Sequence, residues 1–235
     1  MASTKLSAAV LAGLLTVSLA ACGSNDTATG STPSSSSSSS AAESSAPAPA
    51  AGPVLLADLP DLSKGVSTTV TLDPKFLEGI TTLMVTPGVV GETKLENGAL
   101  IFPITGGSAK LYEQGTTGSD PFIVGVIKHD GQGITLSAGG KKVELKNFDV
   151  DAGKSEIRTD ISVDGAKFGD DVPTFIADGS TLNYPPTMEG NNAILEGTEV
   201  KLTAGAAAAL NKVFGVTAFT EGFPIGVAKI AVATS

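Results

Sequence analysis

Asn97-Gly98, Asp130-Gly131, Gly139-Gly140 and Asp164-Gly165 each separate two short runs of apolar, β-branched and alternating residues. Such pairs supply the positive φ angles that a two-residue hairpin turn of type I′ requires. Successive tight turns of this kind commit the stretch to antiparallel strands with short connections. Ser155 to Val163 has the clearest pattern. Ile157, Thr159, Ile161 and Val163 fall on one face, with Glu156, Arg158, Asp160 and Ser162 on the other. Lys142 to Phe148 alternates in the same way around Val143 and Leu145.

The same reading extends in both directions. Val66 to Leu72 alternates as a half-buried strand, and Asp73-Pro74 then starts a helix to about Met84: a capping residue followed by proline in the first turn. Val89 to Leu95 and Leu100 to Ile104 read as the arms of the Asn97-Gly98 hairpin, and Gly106-Gly107 as a further turn. Phe122 to His129 is a strongly apolar strand, turned by Asp130-Gly131 into Ile134 to Leu136. Asp170 to Asn192 reads as mostly irregular, with one short strand around Phe175. Glu199 to Leu202 is a strand, Thr203 caps a helix to Phe214 that Gly215 ends, and Ile225 to Ala233 closes the domain. Val70-Thr71-Leu72-Asp73 and Val200-Lys201-Leu202-Thr203 open two similar strand–cap–helix units. The expected fold is mainly β: an antiparallel sandwich or barrel of about 9–11 strands, with two short helices covering its ends.

Upstream of this domain the chain changes character. Lys5 and the apolar run Leu6 to Ala20 have the form of a secretory signal, and the run is short for a membrane span. Leu19-Ala20-Ala21-Cys22 resembles a bacterial lipobox, which implies a diacylglyceryl thioether on Cys22 and cleavage just before it. Residues 24–53 are dominated by Ser, Ala, Thr, Gly and Pro, a composition that buries too little apolar surface to fold. The expected organisation is a signal at 1–21, a lipidated cysteine and tether at 22–53, and one extracytoplasmic domain at 54–235. The protein would sit on the outer face of a bacterial cell membrane, its membrane partner reached through Cys22. Cys22 is the only cysteine, so the domain holds together without a disulfide.

Composition narrows the chemistry. The formal charge is −9 and Arg158 is the only arginine, which argues against nucleic acid and against arginine clamps on phosphate. There is no Trp and there are two Tyr, few rings for a sugar platform. One histidine and one cysteine do not make a zinc site, and no Gly-x-Ser-x-Gly elbow, P-loop or GxGxxG pattern is present. Asp149-Val150-Asp151-Ala152-Gly153 departs from a calcium-loop pattern after its second acid. His129 either flanks a turn at the surface or acts as a ligand or base near Asp130. The acids lie in turns or on outward faces, a poor basis for a hydrolase built on two carboxylates.

Two stretches resemble HtaA-type haem-binding domains of cell-envelope proteins. One is Gly125-Val126-Ile127-Lys128-His129-Asp130-Gly131, continuing to Asp160-Ile161-Ser162-Val163; the other is Val200-Lys201-Leu202-Thr203-Ala204-Gly205-Ala206. The resemblance implies a β-sandwich and a haem held by a tyrosine whose hydroxyl is hydrogen-bonded by a histidine. His129 falls on the histidine motif, and Tyr112 is the nearest tyrosine. The residues themselves point to a non-catalytic envelope module that binds a small molecule or a protein, with no catalytic residue, no metal site and no resident cofactor. The resemblance adds haem as the alternative ligand.

Overall fold

A computed structural model describes residues 52–116 and 122–234. The signal, Cys22 and nearly all of the tether lie outside the described residues. Ala48–Ser235 forms one compact unit. Its elements are, in order, β1 (Leu55–Leu59), β2 (Ser67–Leu72), α1 (Pro74–Thr82), β3 (Thr86–Val90), β4 (Lys94–Glu96), β5 (Ala99–Pro103), β6 (Gly106–Tyr112), β7 (Ile123–Ala138), β8 (Lys141–Asp151), β9 (Glu156–Val163), β10 (Ala166–Asp178), β11 (Asn183–Glu189), β12 (Asn192–Leu202), α2 (Ala204–Phe214) and β13 (Pro224–Ala233).

The described strands join into one sheet in the order β1-β6-β7-β8-β9-β10-β12-β13-β2-β5-β4, with β3 added to β7 and β11 to β12. Every pairing is antiparallel. The sheet curls over on itself. Val70 and Phe102 from β2 and β5 share a core with Val143, Phe148 and Ile157 from β8 and β9. Phe102 and Phe148 meet across that core at 4.9 Å between ring centres. Each such side chain contributes about 1.5–3 kcal/mol by leaving water.

Local chemistry explains the turns. Asn97-Gly98, Gly139-Gly140 (after β7) and Asp164-Gly165 all have positive φ at both residues, as type I′ hairpins demand. Asp164 also clasps the neighbouring hairpin, its carboxylate accepting from the Lys142 amide at 2.9 Å. Asp73 Oδ1 accepts from the Lys75 amide at 2.7 Å to start α1. Thr203 caps α2, which Gly215 ends with φ 68°.

The structure departs from the sequence reading in several places. Val89 to Leu95 is not a single hairpin arm: β3 ends at Val90 and pairs with β7, and only β4 pairs with β5 across Asn97-Gly98. β1 is a further strand, outside the expected set. Asp130-Gly131 is not a hairpin: β7 runs through it, and a bulge between His129 and Gly133 absorbs the extra residues. The amides that a hairpin would use are taken by side chains, Asp130 N–H by Thr105 Oγ1 and Gly131 N–H by Asn147 Oδ1, both at 2.7 Å. Gly106-Gly107 likewise lies inside β6, where that strand approaches β7 so closely that a β-carbon at Gly107 would strike the Val126 carbonyl. Asp170 to Asn192 is not irregular. Register shifts around Gly169 and Asp171 let β10 continue, and β11 follows as an outer strand, where its prolines are tolerated. With β1, β3 and β11 added, and β7 standing in place of two expected strands, the described strands number thirteen.

One more difference positions the site. β2 and β12 lie on opposite edges of β13, and Leu72 and Val200 both pair with Gly226. α1 and α2 therefore leave from the same end of the sandwich rather than covering one end each. Phe76 and Ile80 of α1 join Ala206, Ala207 and Leu210 of α2 in the main core. The other end holds a separate, smaller core built on Leu62, Ile104, Leu111, Ile127, Leu195 and Ile230.

Candidate functional site

The end remote from the helices contains a cavity of about 550 Å³, within the range of small-molecule sites. Its inner wall is apolar: Ile123 and Ile127 from β7, Val150 from β8, Leu182, Leu195 from β12 and Ile230 from β13. Its rim is polar, formed by Gln114, the β8–β9 turn at Lys154 and Ser155, Asp178 at the end of β10, and Ser180. Under the helices, in contrast, the free space is about 60 Å³ and is walled by core side chains, less than even a benzene-sized cavity of about 150 Å³.

Charges at the rim are already matched. Lys154 Nζ lies 2.8 Å from Asp151 Oδ2, and Asp178 Oδ2 lies 2.7 Å from Lys201 Nζ. Hydrogen bonds from Lys201 and Ser180 hold the Asp178 carboxyl well below the usual carboxylate range. Among the described lining residues Asp178 is the only carboxylate, so no pair of described acids converges on the cavity. No cluster of three metal-ligating side chains exists among the described residues, and Asp151 of the calcium-like segment is bound to Lys154. The side-chain groups at the rim without such ion partners are neutral: Gln114, Ser155 and Thr198. The arrangement suits an apolar body held inside and a neutral polar group at the mouth.

The two tyrosines lie behind the wall residue Phe122. Phe122 packs against Tyr184 at 4.4 Å between ring centres. The Tyr184 hydroxyl donates to the Tyr112 carbonyl at 2.7 Å, and burial raises its pKa. Tyr112 ends β6, its own ring half-buried and absent from the cavity lining.

His129 is elsewhere. It is 1% exposed, not a surface residue beside a turn. Parity explains this: His129 follows the buried Ile127 by two residues, so it shares its inward face. Nδ1 donates to the Phe148 carbonyl at 2.9 Å, which leaves Nε2 to accept from the Thr68 hydroxyl at 2.9 Å. Burial lowers the His129 pKa and keeps the ring neutral. The Tyr112 amide donates to the Phe122 carbonyl, and His129 lies seven residues further along. At strand rise that is about 20 Å. The structure does not bring Tyr112 and His129 together, and neither ring enters the cavity. The sequence reading named neither Leu182, Leu195 nor Ile230, because nothing local marks residues that meet only when β12 and β13 close over β7.

No protein-family model matches the chain, and no curated protein matches it. Among solved structures the chain is similar to the C-terminal domain of HtaA from Corynebacterium glutamicum. The TM-score is 0.50 at 13% identity, covering 76% of this chain and 98% of that one. It also matches the heme binding protein HtaB from Corynebacterium glutamicum with a TM-score of 0.45 at 12% identity, covering 72% of this chain and 92% of that one. At such identity the first likeness is one of architecture: the domain shares the HtaA-type β fold that its sequence resembles.

Proposed function

We propose that this protein is a non-catalytic binding module of the bacterial cell envelope, tethered through lipidated Cys22, and that its ligand is a small, largely apolar molecule taken into the end cavity. The observation that carries the reading is the cavity itself: about 550 Å³, apolar inside, with neutral polar groups and neutralised charges at the rim. The test is titration with an anilinonaphthalene dye, read by fluorescence. The expected result is saturable 1:1 binding that Ala152→Phe, which places a ring in the cavity, weakens at least about tenfold. Binding that ignores Ala152→Phe would place the ligand elsewhere.

Haem is the second reading, favoured by the HtaA-like fold and the sequence resemblance. Its porphyrin belongs to the same apolar class. The lining does not fit the iron, however. Among the described residues no histidine, tyrosine or methionine side chain lines the cavity, and both nitrogens of His129 are engaged in the core. A haem titration separates the readings. A Soret shift lost in Ala152→Phe but kept in Tyr112→Ala places haem in the cavity; loss in Tyr112→Ala places it at the tyrosine instead.

A further inference from the structure

The cavity mouth and the entry of the chain into the domain coincide. Val54 N–H donates to Thr116 Oγ1 at 3.0 Å, and Val54 C=O accepts from the Glu113 amide at 2.8 Å. The next residue, Gln114, lines the cavity. Everything upstream of Val54, the lipidated Cys22 included, therefore attaches beside the opening.

The surface here is unusual for an outer strand. The pairing of β1 with β6 slips between Leu55 and Ala57, so Leu55 and Leu56 do not alternate between faces. Both point outward, 47% and 52% exposed. Val54 at 42% and Val124 of β7 at 45% extend the apolar surface around the same end. Outer strands are commonly guarded by charge, and adjoining exposed aliphatic side chains mark an interaction surface.

From these observations, and resting on the binding reading above, we infer that the open end is the membrane-facing end of the domain and that the cavity takes an acyl chain from the bilayer. About 30 residues separate Cys22 from Val54, and a chain of that length and Ser- and Ala-rich composition has a root-mean-square reach of about 30 Å. The anchor thus places this end on average about a molecular diameter from the lipid surface, close enough to meet it. Leu55 and Leu56 enter the interface as a shallow apolar contact, and the adjoining mouth opens onto acyl chains. Among the described lining residues the one cation is Lys154, which is bound to Asp151 and so is poorly placed to hold an anionic headgroup. Exposed Glu113 also favours a zwitterionic or neutral surface over an acidic one, while Asp58 is paired with Lys110 at 3.6 Å.

The test uses the chain from residue 22 onward, which contains the whole compact unit, with Cys22→Ser to remove the anchor. The chain lacks tryptophan, so Phe122→Trp places a single reporter on the cavity wall; Ile123→Trp, at a neighbouring lining position, serves if circular dichroism shows the first to be unfolded. Phosphatidylcholine vesicles brominated on the acyl chain are expected to quench the reporter, and unbrominated vesicles are not. Leu55→Asp with Leu56→Asp should require at least about tenfold more lipid, while quenching by a soluble brominated fatty acid stays unchanged. Quenching by the soluble acid but not by vesicles, or vesicle quenching indifferent to the two aspartates, overturns the membrane-facing surface. No quenching by either, with the dye still bound, overturns the acyl ligand and leaves the binding reading intact. Failure of the dye as well removes both.

Discussion

The Thr68 hydroxyl donates to His129 Nε2 across 2.9 Å, and that bond joins β2 on one layer of the sandwich to β7 on the other. His129 is also held by the Phe148 carbonyl on β8 and faces the Phe102 ring edge-on at 6.0 Å. The histidine therefore acts as a polar rivet between layers, with both nitrogens satisfied.

Thr68→Val keeps the shape of the side chain and removes the donor. An unsatisfied buried nitrogen costs about 1–3 kcal/mol. Urea denaturation should show that loss, with the far-ultraviolet circular dichroism spectrum unchanged.

The same ring makes stability depend on pH. Folding lowers the His129 pKa below its ordinary 6.5 because burial disfavours the imidazolium. Above that value both states are neutral and the group contributes no slope. As pH falls below 6.5 the unfolded chain binds a proton that the folded one refuses, so stability declines until the folded pKa is reached. His129→Gln should flatten the slope between pH 6.5 and 5 in urea titrations. The carboxylates act in a lower window. Asp178, Asp164 and Asp171 have folded pKa values below the ordinary 3.8. Their contribution is complete above 3.8 and is lost as pH falls from there.

Tyr184→Phe removes the hydroxyl that donates to the Tyr112 carbonyl and should cost about 1 kcal/mol. The ring remains, so its packing on Phe122 and the cavity wall survive. Dye affinity should be nearly unchanged in Tyr184→Phe and clearly weaker in Tyr184→Ala, as read by the same titration.

Gly125 pairs with Ala109 in the β6–β7 ladder, with φ 136° and the Ser108 carbonyl where a β-carbon would stand. Gly125→Val should destabilise by about 3 kcal/mol or more through strain and clash. A calorimetric melt would register it as a large fall in Tm.

Features whose cause lies within a few residues were legible in the sequence. Asn97-Gly98, Gly139-Gly140 and Asp164-Gly165 turn because their own backbones favour it, and Asp73 and Thr203 cap helices that begin beside them. Asp130-Gly131 carries the same local signal and yet does not turn the chain back. Its fate is decided by Thr105 and Asn147, which are 25 and 16 residues away. Pro173 and Asp171 similarly obscured β10, since bulges that accommodate such residues depend on the partner strand. The burial of His129 was written in its parity with Ile127, a signal overshadowed by the adjacent turn pair. The cavity was not legible at all, because its walls come from strands that meet only through the curl of the sheet.

α1 and α2 plug the same end of the sandwich, and the consequence is directional. On the binding reading proposed above, a molecule held in the end cavity would leave by the side it entered, since among the described residues the helix end holds only about 60 Å³ of free space. A second partner would then receive it only by approaching the side from which it was loaded.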